Sequence, residues 1–216
     1  MIGLNGDRKD WNMAEPVRIV GILGTYRSDG VVERALDEVL EGARLAGAEV
    51  AKIDLRKRHV EFCTNCRHCT QEPGETRGDC PRQDDMAEML DQMERADGLV
   101  LASPVNFFTV TALMKRFIER QVCYAWWPWG NLAPKRRRPS TGQRAVVVTA
   151  CAMPAPLARL FTNAPRLLRT AAELPGARTI GTLIVGQAAK REHLPLPPGI
   201  RRRARRLGRQ LALGRR

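Results

Sequence analysis

Short apolar runs alternate along this chain with segments whose apolar residues recur every three or four positions, the first a mark of buried strands and the second of helices with one covered face. Val17 to Leu23 is such a run, ending at Gly24. Val32, Ala35, Leu36, Val39, Leu40 and Ala43 follow at helical spacing, with Gly47 as a terminating glycine. Ala48 to Leu55 predicts a second strand, Asp85 to Arg95 a second helix and Gly98 to Ser103 a third strand. A helix from about Thr111 to Val122, a strand at Arg144 to Ala150, a helix from about Pro156 to Ala172 and a strand at Arg178 to Val185 complete the alternation. After Gly199, the residues Ile200, Ala204, Leu207 and Leu211 give a last helix one apolar stripe and leave most of its arginines outside.

Five strands alternating with five helices predict an α/β fold with a parallel sheet, because each parallel crossover needs a helix to return the chain to the same edge. Two doubly wound arrangements fit, the dinucleotide-binding one and the flavodoxin one. The 216 residues, 44% of them apolar, suit one core, so 16–216 is read as a single domain behind an irregular extension at 1–15, with a cysteine-rich insertion at 60–82. No apolar run is long enough to cross a bilayer and no leader is visible, which makes an unexported cytoplasmic protein with no membrane association the expectation.

The net charge of +13 comes largely from arginines in 135–138, in 201–206 and at the terminus. Such runs suit anionic partners. Without a recognisable nucleic-acid-binding fold the bland reading, a solvated loop and the outer face of a helix, is preferred to a nucleic-acid partner.

Chemistry enters after the first strand. Gly24-Thr25-Tyr26-Arg27-Ser28-Asp29-Gly30 leads into the first helix and offers a hydroxyl, an arginine and free backbone N–H groups to a phosphate monoester. Gly-x-Gly-x-x-Gly is missing, and only Asp54, at the end of the second strand, could serve a dinucleotide ribose. Together with the segment from Ser103-Pro104-Val105-Asn106-Phe107-Phe108 to Glu119-Arg120, this loop resembles the NADPH-dependent FMN reductase and iron-sulfur flavoprotein family, over roughly residues 17 to 186. The family reads Gly-Ser-Pro-Arg-x-x-Gly-Asn-Thr in the first loop and Ser-Pro-Val-Tyr-Phe-Gly in the second.

The resemblance implies a flavodoxin-like five-stranded sheet of order 2-1-3-4-5 that binds FMN, with NAD(P)H as reductant. It implies that Thr25 and Arg27 contact the flavin phosphate, that backbone from Ser28 through Asp29, Gly30 and Val31 to Val32 completes the cradle, and that Ser103 to Phe108 flank the ring. Thr149, Ala150 and Cys151 would lie beside its pyrimidine side. Val31, Val32, Asn106 and Phe108 depart from the family residues, and a phenylalanine at 108 is expected to reshape the pocket over the flavin. A flavin or quinone, a nitro or azo aromatic, or another small-molecule electron acceptor would take the electrons. A homodimer or higher homo-oligomer is the family expectation.

Cys63, Cys66 and Cys69, each two residues from the next, precede Cys80 by ten residues. Such spacing can wrap thiolates around a [4Fe-4S] cluster, and the flavin would then pass electrons to an acidic redox protein. Zinc held by some of these thiols with His68, and a metal-free loop, are the other readings. In a different class, a flavodoxin-like module would sense oxidants through its thiols or bind nucleic acid through its arginines. Tyr124, Trp126, Trp127 and Trp129 are candidates for stacking on substrate or for burying a partner.

Overall fold

Every apolar run named above becomes a strand of one sheet, and the residues around them set its two covers. The computed structural model describes residues 15–190 and 194–214; most of the expected irregular extension lies outside them. In chain order the elements are β1 (Arg18–Leu23), α1 (Val31–Arg44), β2 (Glu49–Asp54), α2 (Met86–Arg95), β3 (Gly98–Ala102), α3 (Ala112–Arg120), β4 (Ala125–Trp126) and β5 (Lys135–Arg136). They continue as β6 (Arg144–Ala150), α4 (Ala155–Phe161), α5 (Ala164–Glu173), β7 (Arg178–Val185) and α6 (Pro198–Leu213).

The main sheet is parallel throughout, in the order β2-β1-β3-β6-β7. Alternate residues of each strand face opposite layers. Ile19, Leu23, Val100, Val146 and Leu183 meet Val32, Leu36, Val39, Leu207 and Leu211 of α1 and α6. Ile22, Leu99, Leu101 and Val147 meet Met89, Met93, Met114, Phe117 and Leu168 of α2, α3 and α5.

Helices α1 and α6 touch through glycine. A Cβ at Gly208 would lie 1.8 Å from the Val39 carbonyl oxygen, and one at Gly42 would lie 2.2 Å from that of Arg205. The close crossing turns Arg201 and Arg205 onto Glu38, at 3.0 and 2.6 Å. Part of the arginine excess is thus paired at the surface of this crossing. Among the described residues no helix is long and apolar enough to span a membrane.

Two local expectations change. The helix expected from Pro156 to Ala172 is two helices, because Thr162 is extended at φ −121° and ψ 149°. Pro165 stands in the first turn of α5, where its missing N–H costs nothing, whereas it would break a continuous helix. The segment from Tyr124 to Thr141, to which the hydrophobic pattern gave no element, contains the β4–β5 hairpin, which pairs Trp126 with Lys135 and Ala125 with Arg136.

Candidate functional site

A doubly wound sheet opens a crevice beyond the carboxyl ends of its strands where the strand order reverses. Here that place is between β1 and β3, and a cavity of ≈ 340 Å³ lies there. The loop after β1 lines it with Thr25, Tyr26, Arg27, Gly30, Val31 and Val32. Thr25 is buried, and its hydroxyl accepts the Arg27 N–H at 3.3 Å. Gly30 begins α1 in extended conformation with no side-chain cap. The first intrahelical bond is Arg34 N–H to the Gly30 carbonyl, so the N–H groups of Val31 and Val32, which line the crevice, precede the helical ladder at the end where the helix dipole favours an anion.

Ser28 and Asp29 face elsewhere. The Ser28 hydroxyl accepts from Arg56 at 2.9 Å, and the Asp29 carboxylate is held by Arg34 at 2.8 and 2.6 Å. Asp54 is gripped by Arg56 at 2.6 to 3.0 Å. Burial alone would raise the Asp54 carboxyl, but hydrogen bonds from Arg56 outweigh it and hold it below the ordinary value. Asp54 is therefore committed to an internal ion pair.

From the loop after β3, Pro104, Val105 and Asn106 line the cavity. Ser103 is fully buried and works as a tie: it accepts the Thr111 N–H at 3.1 Å, while the Thr111 hydroxyl donates to the Gly24 carbonyl at 2.8 Å and accepts the Met114 N–H at 3.1 Å. The first two loops and the start of α3 are thus fixed to one another.

Phe107 and Phe108 are not on the cavity wall. Asn106 and Thr109 exchange backbone hydrogen bonds of 2.8 and 3.0 Å, and the two phenylalanines between them both take left-handed backbone, at φ 46° and 63°. That turn swings the rings outward, leaving them 99% and 64% exposed. Phe108 does not line the crevice, because the position the family fills with glycine is the tip of a turn. Its positive φ gives the reason for that glycine.

Ala150, Cys151 and Ala152 form the opposite wall, with Ala188 and Ala189 from the loop after β7. The Ala188 N–H donates to the Cys151 carbonyl at 2.8 Å, knitting these loops together. The Cys151 thiol donates to the Met153 carbonyl at 3.1 Å, and burial pushes its pKa up. Thr149 is buried behind the wall, its hydroxyl without a partner among the described residues. Tyr26, Ala152, Ala188 and Ala189 are the wall residues that motif matching did not name. The last two follow from the rule that ligands gather at carboxyl strand ends.

The four clustered cysteines lie unbridged on a separate loop, Cys69 buried, Cys63 half-buried, and Cys66 and Cys80 exposed. Arg137 ties this loop to the segment after α3 by donating to the carbonyls of Cys69, Glu72, Gly74 and Cys123 at 3.1, 2.9, 3.2 and 3.0 Å. The ten-residue gap before Cys80 is an excursion that returns. At its end the Gly78 N–H donates to Cys123 at 2.9 Å, and a Cβ on Gly78 would lie only 1.8 Å from the Cys69 carbonyl oxygen. Arg120 then reaches the Cys80 sulfur at 3.5 Å.

Burial, and then the charges of Cys80, Cys63 and Cys66, push the Cys69 thiol up to about 11. Among the described residues no three His, Cys, Asp or Glu side chains are gathered tightly enough to hold one metal ion. A four-iron cluster takes each thiolate on a different iron, so its ligands stand farther apart than those of a single ion.

The tryptophans belong to this loop. Arg67 lies between the rings of Trp127 and Trp129, 4.1 and 4.2 Å from their centroids, and donates to the Trp127 and Pro128 carbonyls. Trp126 donates to the Gln71 carbonyl at 3.1 Å.

Residues 17–177 match the sequence pattern of the family described as NADPH-dependent FMN reductase. An iron-sulfur flavoprotein of Archaeoglobus fulgidus is 37% identical over 108 residues, half of this chain and 47% of that protein. The chain thus spans about half the length of this relative. Among solved structures, a flavone reductase superposes with a TM-score of 0.63 at 22% identity, covering 91% of this chain and 62% of its own. An azoreductase of Bacillus anthracis gives 0.63 at 14% identity, covering 91% and 98%. At those identities the likeness is one of fold, and the fold is the flavodoxin-like one.

Proposed function

Because this chain belongs to the NADPH-dependent FMN reductase family, we propose that it is an FMN-dependent oxidoreductase that draws electrons from NAD(P)H and hands them to a small-molecule acceptor. The observation that carries the reading is the start of α1, beside Thr25 and Arg27, at a crevice whose other walls are mostly small or apolar, with Tyr26 and Asn106 the exceptions. One end of that crevice suits a dianion and the rest suits a flat ring, which is the chemistry of a flavin phosphate.

FMN bound there would supply the electron- and hydride-carrying chemistry, and the chain supplies position and electrostatics. Arg27 and the first N–H groups of α1 would take the phosphate. Backbone at Pro104 to Asn106 would follow one edge of the ring, and Ala150 to Ala152 the other. Quinones, nitro or azo aromatics and free flavin are the acceptors that such a site admits.

Absorption spectroscopy of the purified protein tests the reading. A yellow protein bleached by NADPH or NADH under anaerobic conditions is the expected result. A colourless preparation that takes up no FMN would overturn it.

The placement of Cys63, Cys66, Cys69 and Cys80 on one loop, all four thiols free, favours a second reading within the same class. Here the thiolates hold a [4Fe-4S] cluster, and the electrons leave one at a time to an acidic redox protein drawn by the charge of +13. Iron and sulfide in stoichiometric amounts would support it, and flavin bands alone would reject it.

Self-association is part of the proposal. Leu157, Leu160 and Phe161 are exposed on α4, whose buried side chain is the small Ala158, and the Asn163 N–H after them donates to the Phe108 carbonyl at 2.7 Å. These residues and the two phenylalanines form an apolar face beside the crevice that a second copy would cover. Light scattering should show a dimer or larger assembly that Phe161→Asp dissociates.

A further inference from the structure

The loop after β1 is braced from outside by a guanidinium that no motif marks. Arg56 follows β2, and its side chain is mostly buried, as are those of its partners Asp54 and Glu33. Its Nε and Nη2 bind the Asp54 carboxylate, its Nη2 lies 3.3 Å from Glu33, and its Nη1 donates to the Ser28 hydroxyl at 2.9 Å. Glu33 sits in the first turn of α1, accepts the Asp29 N–H at 2.9 Å and is shared with Lys52 at 3.2 Å.

We propose that Arg56 is a positioning residue for the phosphate group of the flavin, holding the turn at Ser28 and Asp29 and cancelling the charge that Glu33 places beside the phosphate cradle. The inference rests on the FMN reading above. Its logic is electrostatic. A phosphate monoester brings close to two negative charges to the start of α1, and a bare Glu33 carboxylate one turn away would repel it. The carboxylate is nevertheless useful there, because it fixes the path of Asp29.

Arg56 reconciles the two demands. Its planar fork satisfies Asp54 and Glu33 together and leaves Nη1 for Ser28, a geometry that the point charge of a lysine does not reproduce. Lys52 is already divided between Glu33 and Asp37, at 3.2 and 2.8 Å, and does not replace it. Binding of the isoalloxazine ring does not depend on any of these groups, so loss of Arg56 should be felt by FMN and not by riboflavin.

Fluorescence titration of the flavin-free full chain with FMN and with riboflavin separates the possibilities. Arg56→Ala is expected to weaken FMN by about tenfold or more while riboflavin changes less than about twofold. Glu33→Gln in the Arg56→Ala background should recover much of the FMN affinity, and Glu33→Gln alone should leave it equal or tighter. Arg56→Lys should fall between. Equal losses for the two flavins, or none for either, would overturn the role assigned to Arg56. A wild-type chain that binds neither flavin would overturn the cofactor reading and this inference with it.

Discussion

Arg120 and Asp84 form an ion pair almost sealed from solvent, their side chains 2% and 0% exposed. The pair is anchored on both sides, since Asp84 also accepts the Glu61 and Met86 N–H groups at 2.7 and 3.0 Å, and Arg120 also donates to the Glu61 carbonyl at 2.9 Å. Removing one partner leaves the other charged and buried. Arg120→Ala should therefore cost about 3–5 kcal/mol in urea denaturation, well above the cost of cutting a surface pair such as Lys115–Glu119.

Acid should find the same pair. Burial alone would raise the Asp84 carboxyl, but the Arg120 hydrogen bond and the two backbone N–H groups outweigh it and place it below its ordinary value of 3.8. A carboxyl lower in the folded than in the unfolded state stabilises the protein above the unfolded value, and that stability is lost as pH falls through the folded one. Asp54 and Glu173 shift the same way. Thermal melts should thus be level with respect to these groups near neutrality and decline below about pH 4. In Asp84→Asn the decline should be shallower, from a lower plateau.

The turn at Phe107 and Phe108 predicts a gain. A phenylalanine in left-handed backbone costs about 1–2 kcal/mol relative to its preferred region, and the exposed ring at 108 recovers little of that within one chain. Phe108→Gly should raise monomer stability by about 1 kcal/mol in denaturant melts, with flavin content unchanged, because residue 108 does not line the crevice.

Arg67 predicts a spectroscopic change. Its guanidinium is stacked between two indoles, each contact being worth about 0.5–2 kcal/mol. Arg67→Ala should release Trp127 and Trp129, shift tryptophan emission to the red and expose 70–77 to limited proteolysis. Arg67→Lys should keep part of the attraction and lose the planar stacking. An unchanged emission maximum in Arg67→Ala would count against the clamp.

The central strands were legible because they are covered on both faces and read as unbroken apolar runs, as Ala145 to Val148 do. The break at Thr162 and Asn163 was less so. The helical period carries through it, and only Pro165 betrays a new start. Two-residue strands such as β4 and β5 are too short to show any period. In the crevice, positions contiguous with a motif, such as Thr25, Arg27 and Val105, could be named in advance. Ala188 and Ala189 arrive from a loop without a motif, and Ser103 fits the motif but is spent on Thr111. Arg56 escaped because its partner Ser28 is 28 positions away, a relation that exists only once β2 lies beside β1.

The four carbonyls taken by Arg137 bear on how the cysteine segment keeps its course. In a small zinc module the backbone has no path until sulfur meets metal, and chelation unfolds it. Here guanidinium-to-carbonyl bonds and a pair of indoles already give the cysteine segment its course. If these thiols hold a cluster, as in the second reading proposed above, its insertion would follow chain collapse, and removing it with a chelator should leave the loop folded and able to be refilled.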